Sequence, residues 1–313
     1  MDISEPNMLF QQIEKEKIAM MKLEGIMTAL VTPLKQDGTV DEGALKALIE
    51  YQIAHKVNSL LLLGGTGEYT SMTMEERFRA VDITIKAVNK RVPLIVGVLE
   101  PGVGECLKFC KYCRQAGADA MLVLTPYYIM GTQDALVEFY CTMDREVDMP
   151  ILIYNIPYRT NVNVLPDTVV RLTKEMKNLV GIKECAAMSQ AMELLVKVGD
   201  KINVLTGDEF SAVSLMAMGA KGAVMATANV VPDAWVKMYE LVKAGEIKQA
   251  MDMSLDYFSL FKALFSENYI SPLKYAMDKA GVPWGEAKLL PLLEAKDETK
   301  AWVDRELTRL GVI

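Results

Sequence analysis

From Ile26 to about Ala244 the chain repeats one unit eight times: a short apolar run followed by a stretch with helical spacing. The runs cover residues 26–31, 59–63, 93–98, 120–124, 151–154, 180–183, 202–206 and 223–226 and read as buried strands. Helical patterns lie between them near 42–55, 74–89, 105–116, 133–146, 166–176, 189–198, 209–218 and 232–243. Such units imply parallel strands joined by right-handed crossovers, and eight is the number that closes into a barrel. An open doubly wound sheet is the competing architecture, but no G-x-G-x-x-G turn follows the first strand. The expected class is α/β, a (β/α)₈ TIM barrel over residues 23–245 with a C-terminal helical domain over 246–313. In that last part strand signals stop, and breaks fall at Ser271-Pro272 and around Gly281-Val282-Pro283. Residues 1–22 are polar and charged and form an N-terminal extension; Met20 or Met21 is a candidate start of the native chain.

At 313 residues and 51% hydrophobic, the chain buries a large core. Its net charge of −7, with lysines scattered among acids, argues against a nucleic-acid surface, which needs a concentrated basic stripe. No apolar stretch has the length of a membrane span and no signal peptide is visible, so a soluble cytoplasmic protein acting on small molecules is expected. Five cysteines fit a reducing compartment. Three of them, Cys106, Cys110 and Cys113, share one face of an expected helix and read as packing residues rather than metal ligands. His55 is the only histidine and lies late in an expected helix, which leaves no two-histidine metal site and argues against a histidine-centred triad. Proton transfer is left to lysine, tyrosine, carboxylates or water.

In such a barrel the chemistry sits at the C-terminal ends of the strands. Lys183 ends the sixth run, where burial disfavours the ammonium and a neutral amine is a nucleophile towards a ketone or aldehyde carbon. A strand-end lysine reaching solvent is the plainer reading of the same residue. Gly64-Gly65-Thr66-Gly67-Glu68 follows the second run; its glycines let amide groups converge on an anion, and Thr66 adds a hydroxyl. Tyr128 and Tyr154 stand at the ends of the fourth and fifth runs, with Arg159 just beyond the latter.

The G-x-T-G-E turn, the T-P-Y-Y run at 125–128, the Y-N-I-P-x-R-T segment at 154–160 and the G-I-K-E strand end at 181–184 come in an order and spacing that resemble the dihydrodipicolinate synthase and N-acetylneuraminate lyase family. The resemblance runs from about Leu23 into the C-terminal helices. It implies a (β/α)₈ barrel with a helical C-terminal domain, usually a tetramer built as a dimer of dimers. It also implies a Schiff base between a lysine and pyruvate or another 2-oxo acid, with no metal or organic cofactor. By the same resemblance Lys183 forms the imine and Tyr154 moves protons at its carbon. Gly65 and Thr66 lie in the carboxylate-binding turn, Gly207 and Val224 line the substrate pocket, and Tyr128 reaches into the partner's site. Arg159 matches the arginine that holds the carboxylate of aspartate semialdehyde in the synthases, a task suited to a planar bidentate donor.

One position departs. Synthases carry a threonine and neuraminate lyases a serine where this chain has Gly65, so the hydroxyl linking the two tyrosines is missing. The joint presence of Lys183, Tyr154 and Arg159 nonetheless makes the reading a synthase condensing pyruvate with aspartate semialdehyde. The alternatives are an aldolase or dehydratase of 2-oxo-3-deoxy sugar acids, or a non-catalytic barrel that binds a 2-oxo acid. Tyr127 and Glu105 match the lysine-binding pocket of feedback-inhibited relatives, while Tyr69, Met74, Arg77 and Pro101 do not, so weak or absent inhibition by lysine is expected.

Overall fold

The structure is a computed structural model, and it describes residues 21–313. The expected extension, as far as residue 20, lies outside the described residues. Eight parallel strands close on themselves in sequence order: β1 (Gly25–Ala29), β2 (Ser59–Leu62), β3 (Leu94–Val98), β4 (Ala120–Leu124), β5 (Ile151–Asn155), β6 (Leu179–Glu184), β7 (Asn203–Thr206) and β8 (Gly222–Met225). Every residue of these strands is buried, because one face fills the barrel and the other meets the helices. That two-sided burial explains why the runs are apolar without alternation.

The outer ring is α1 (Glu42–Ala54), α2 (Met74–Val88), α3 (Val103–Ala116), α4 (Gln133–Val147), α5 (Pro166–Glu175), α6 (Met188–Val198), α7 (Ala212–Ala217) and α8 (Pro232–Lys243). Asp41, Thr73 and Thr132 cap α1, α2 and α4 by accepting from amides three residues on, and proline opens α5 and α8. Cys106, Cys110 and Cys113 are buried along the inner face of α3. Among the described residues no helix is long and apolar enough to cross a membrane.

Three further helices follow, α9 (Ile247–Leu264), α10 (Ile270–Lys279) and α11 (Asp297–Arg309). Trp235 of α8 stacks on Phe261 of α9, rings 5.0 Å apart at 8°, and its indole donates to Thr227. The pair joins barrel to appendage; such stacking adds roughly 0.5–1.5 kcal/mol beyond the area buried. The connection from Phe265 to Tyr269 then places both residues beside the ends of the strands, among the residues that line the cleft there.

Candidate active site

Tyr154 on β5 and Lys183 on β6 are direct partners in the parallel ladder, so their side chains leave the same face of the sheet. The Lys183 amine lies 4.5 Å from the centre of the Tyr154 ring. Its side chain enters an inner cleft shared with Thr66, Tyr158, Arg159, Gly207, Glu209 and Val224. Lys183 is only 7% exposed, and among the described residues it has no carboxylate partner and donates no hydrogen bond. Gly207 leaves room for this amine, since a Cβ at that position would come within 2.5 Å of the Lys183 Cε and push it aside. Burial pushes the Tyr154 phenol well above its ordinary value, which keeps it protonated and able to hand a proton to a reacting atom.

The turn after β2 behaves differently from the expected nest of converging amides. The Gly67 and Glu68 amides donate back to Gly64 and Gly65 at 3.1 and 3.2 Å, and Gly67's carbonyl accepts from Thr32. Their role is to close the turn. Among the described residues the amides of Gly65 and Thr66 have no such acceptor, so these two, with the Thr66 hydroxyl, are the donors left for an anion. Gly65 itself lines an adjoining outer cavity of about 390 Å³, walled by Leu99, Leu124, Tyr127 and Ile156 and bordered by Tyr154 and Arg159.

Arg159 stands between the two spaces. A short helical turn, Pro157–Thr160, carries it past the end of β5, and its guanidinium lies 5.3 Å from the Tyr269 ring centre and 6.0 Å from that of Tyr158. Among the described residues it pairs with no acid, and it borders both spaces, where a guanidinium can meet a carboxylate. Tyr128 is not brought into this site: its backbone turns at φ +72°, and the side chain is 92% exposed beside Ile129 and Met130. Its neighbour Tyr127 lines the outer cavity instead.

Two residues of the cleft were not anticipated. Glu209 is fully enclosed and accepts from the amides of Ala226 and Thr227 at 2.9 and 3.4 Å. Burial pushes its carboxyl up to about 7, against the pull of those amides and the Lys183 charge. Tyr269 arrives from the C-terminal helices and shares a hydrogen bond of 2.9 Å with the Thr66 hydroxyl. The expected helix over 209–218 hid the first, because α7 begins only at Ala212 after a turn closed by Ser211 on Asp208. The spacing Gly207-Asp208-Glu209 just past a strand was the available signal.

A buried amine beside a phenol, a carboxylate-sized set of donors and an unpaired arginine can together form an imine with a 2-oxo acid and hold a second acid next to it. The model of the dihydrodipicolinate synthetase family matches residues 22–310. The 4-hydroxy-tetrahydrodipicolinate synthase of Thermodesulfovibrio yellowstonii is 38% identical over 291 residues, covering 93% of this chain and 99% of that protein. The crystal structure of the chloride-inhibited dihydrodipicolinate synthase of Acinetobacter baumannii, complexed with pyruvate, superposes with a TM-score of 0.89 at 33% identity, over 93% of this chain and 99% of the other. The dihydrodipicolinate synthase of Aquifex aeolicus gives the same values.

Proposed function

Because the chain belongs to the dihydrodipicolinate synthetase family, we propose that it condenses pyruvate with aspartate semialdehyde through a Schiff base on Lys183. The observation that carries this reading is the pairing of Lys183 with Tyr154 at the bottom of a cleft that Arg159 overlooks. The amine adds to the pyruvate ketone, and loss of water leaves the imine. Tyr154 gives its proton to the hydroxyl that departs as that water, and the phenolate so formed takes a methyl proton, giving an enamine whose carbon attacks the aldehyde held through its carboxylate by Arg159. The amino group of the second substrate then closes the ring onto the former ketone carbon and frees Lys183. Thr66 and the amides of Gly65 and Thr66 hold the pyruvate carboxylate, with Gly207 and Val224 shaping the wall behind it.

Reduction with borohydride in the presence of pyruvate tests the first step. Expected is one adduct, on Lys183 and on no other lysine; its absence removes the mechanism. Turnover of 2-oxo-3-deoxy sugar acids without turnover of aspartate semialdehyde would select the aldolase or dehydratase reading instead, which Gly65 favours.

The exposed Tyr128-Ile129-Met130 run supports a dimer-based assembly, up to a tetramer, in which Tyr128 enters the partner's site. Sedimentation together with loss of activity on dilution would test it. Five buried, unpaired thiols support work in the cytoplasm.

A further inference from the structure

Gly65 leaves a gap in the binding turn, and a residue from far along the chain faces it. A Cβ built on Gly65 would lie 3.8 Å from the Tyr269 hydroxyl and 3.6 Å from the Arg159 Nη1. A serine or threonine hydroxyl would project further into the same space. Tyr269 is held there firmly: Phe265 stacks on its ring at 4.9 Å and 15°, and the Arg159 guanidinium lies over it at 5.3 Å. Its hydroxyl is 2.9 Å from the Thr66 Oγ1.

Two hydroxyls in contact share one proton, so the direction chosen by one decides that of the other. A carboxylate only accepts. For Thr66 to bind one, its own hydrogen must point into the cleft, and the bond between the two residues must then run from Tyr269 to Thr66. Tyr269, an O–H donor on a stacked ring, is built to supply that bond.

The geometry points to Tyr269 as a positioning residue of the active site: its phenol donates to Thr66 and thereby aims the Thr66 proton at the carboxylate of the 2-oxo acid. A bare Cβ at position 65 would only touch the Tyr269 hydroxyl, at 3.8 Å, so a longer side chain there would have to share its space. This rests on the reaction proposed above for the identity of the anion and concerns how that anion is held. The C-terminal helices are then part of the binding site, since a barrel ending at α8 would lack this donor.

The test uses the full-length protein as wild type, Tyr269→Phe, Thr66→Val and the double variant. The quantity measured is the pyruvate concentration giving half-maximal borohydride adduct on Lys183, with melting temperature recorded in parallel. Tyr269→Phe keeps the ring and removes one oxygen, and is expected to raise that concentration roughly 3- to 10-fold, the size of one hydrogen bond, at unchanged melting temperature. The double variant is expected to be no worse than Thr66→Val alone, because Tyr269 acts through Thr66. Half-saturation equal to wild type in Tyr269→Phe overturns the inference, as does a double variant whose loss is the product of the two single losses. A shift that follows a fall in melting temperature marks a packing defect and also overturns it. Failure of the wild type to form any adduct overturns the reaction itself, and this inference with it.

Discussion

Lys183 and Lys274 are both withdrawn from solvent, at 7% and 0% exposure, yet their surroundings differ in kind. Lys274 of α10 is locked: it pairs with Glu68, donates to the Ala287 carbonyl at 2.9 Å and points at that of Thr32. Glu68 in turn accepts from the Leu289 amide at 2.7 Å and sits in the left-handed region at φ 57°, a conformation its partners hold in place. Lys183 has a phenol ring beside it and a cleft in front of it. Burial alone therefore does not mark a nucleophile. A buried amine with all its hydrogens spoken for is a strut, and one facing open space beside a proton donor is a reagent.

Exchanging the two lysines for residues without charge should separate these roles. Lys183→Ala is expected to lower turnover by at least about 10³-fold and to abolish the borohydride adduct, because the covalent route is lost while the fold keeps its contacts. A melting curve close to wild type completes the expectation; retained adduct would place the imine elsewhere. Lys274→Met should do the reverse. Leaving Glu68 charged, buried and unpaired costs roughly 3–5 kcal/mol, read as a lower denaturant midpoint. Adding Glu68→Gln should recover part of that loss. A Lys274→Met protein as stable as wild type would show that the pair is no strut.

The acids near the two lysines extend the contrast. Glu68 meets its lysine directly, whereas Glu209 is held by the amides of Ala226 and Thr227 and feels Lys183 only as a nearby charge. Burial raises Glu209 from 4.5 to about 7. A carboxyl that binds its proton more tightly when folded makes the protein lose stability as pH climbs from about 4.5 to about 7, with no further change above. The slope should amount to at most about 3 kcal/mol over that window, and Glu209→Gln should flatten it. A variant with the same pH dependence as wild type would assign the slope to other groups.

What could be read from the residues follows the same physics. The barrel was legible because each strand is buried on both faces and must be an uninterrupted apolar run, as in Leu60–Leu62 and Ile151–Ile153. Lys183 and Tyr154 could be placed at one mouth because strand ends in a barrel deliver side chains there, whereas Arg159 was singled out by the resemblance alone. Tyr269 and Lys274 were not legible, since both lie in the C-terminal part outside the repeat, one in a connection and one on α10, and their meeting with Thr66 and Glu68 spans more than 200 residues. The turn at 64–68 was half legible: its glycines signalled a tight loop, but only the structure shows that two of its amides are consumed in closing it.

The smallest expected effect is none, and it concerns a third enclosed cation. Arg77 on α2 pairs with Glu100, donates to the Met72 carbonyl at 3.0 Å and covers the Tyr69 ring at 4.0 Å. Tyr69 also donates to Glu100, at 3.3 Å. Tyr69 and Arg77 are two of the positions from which weak or absent lysine inhibition is expected, and here they already supply a cation and an aromatic face beside Glu100. An incoming lysine would bring a second ammonium to a site where Glu100 is already paired with Arg77, and displacing Arg77 would strand Glu100 in a half-buried place. Added lysine should therefore leave the rate of condensation unchanged, measured at pyruvate concentrations near half-saturation where weak inhibition is easiest to see. Inhibition at sub-millimolar lysine would mean that Arg77 yields its place, and would move this cation from the locked class of Lys274 to one that a ligand can open.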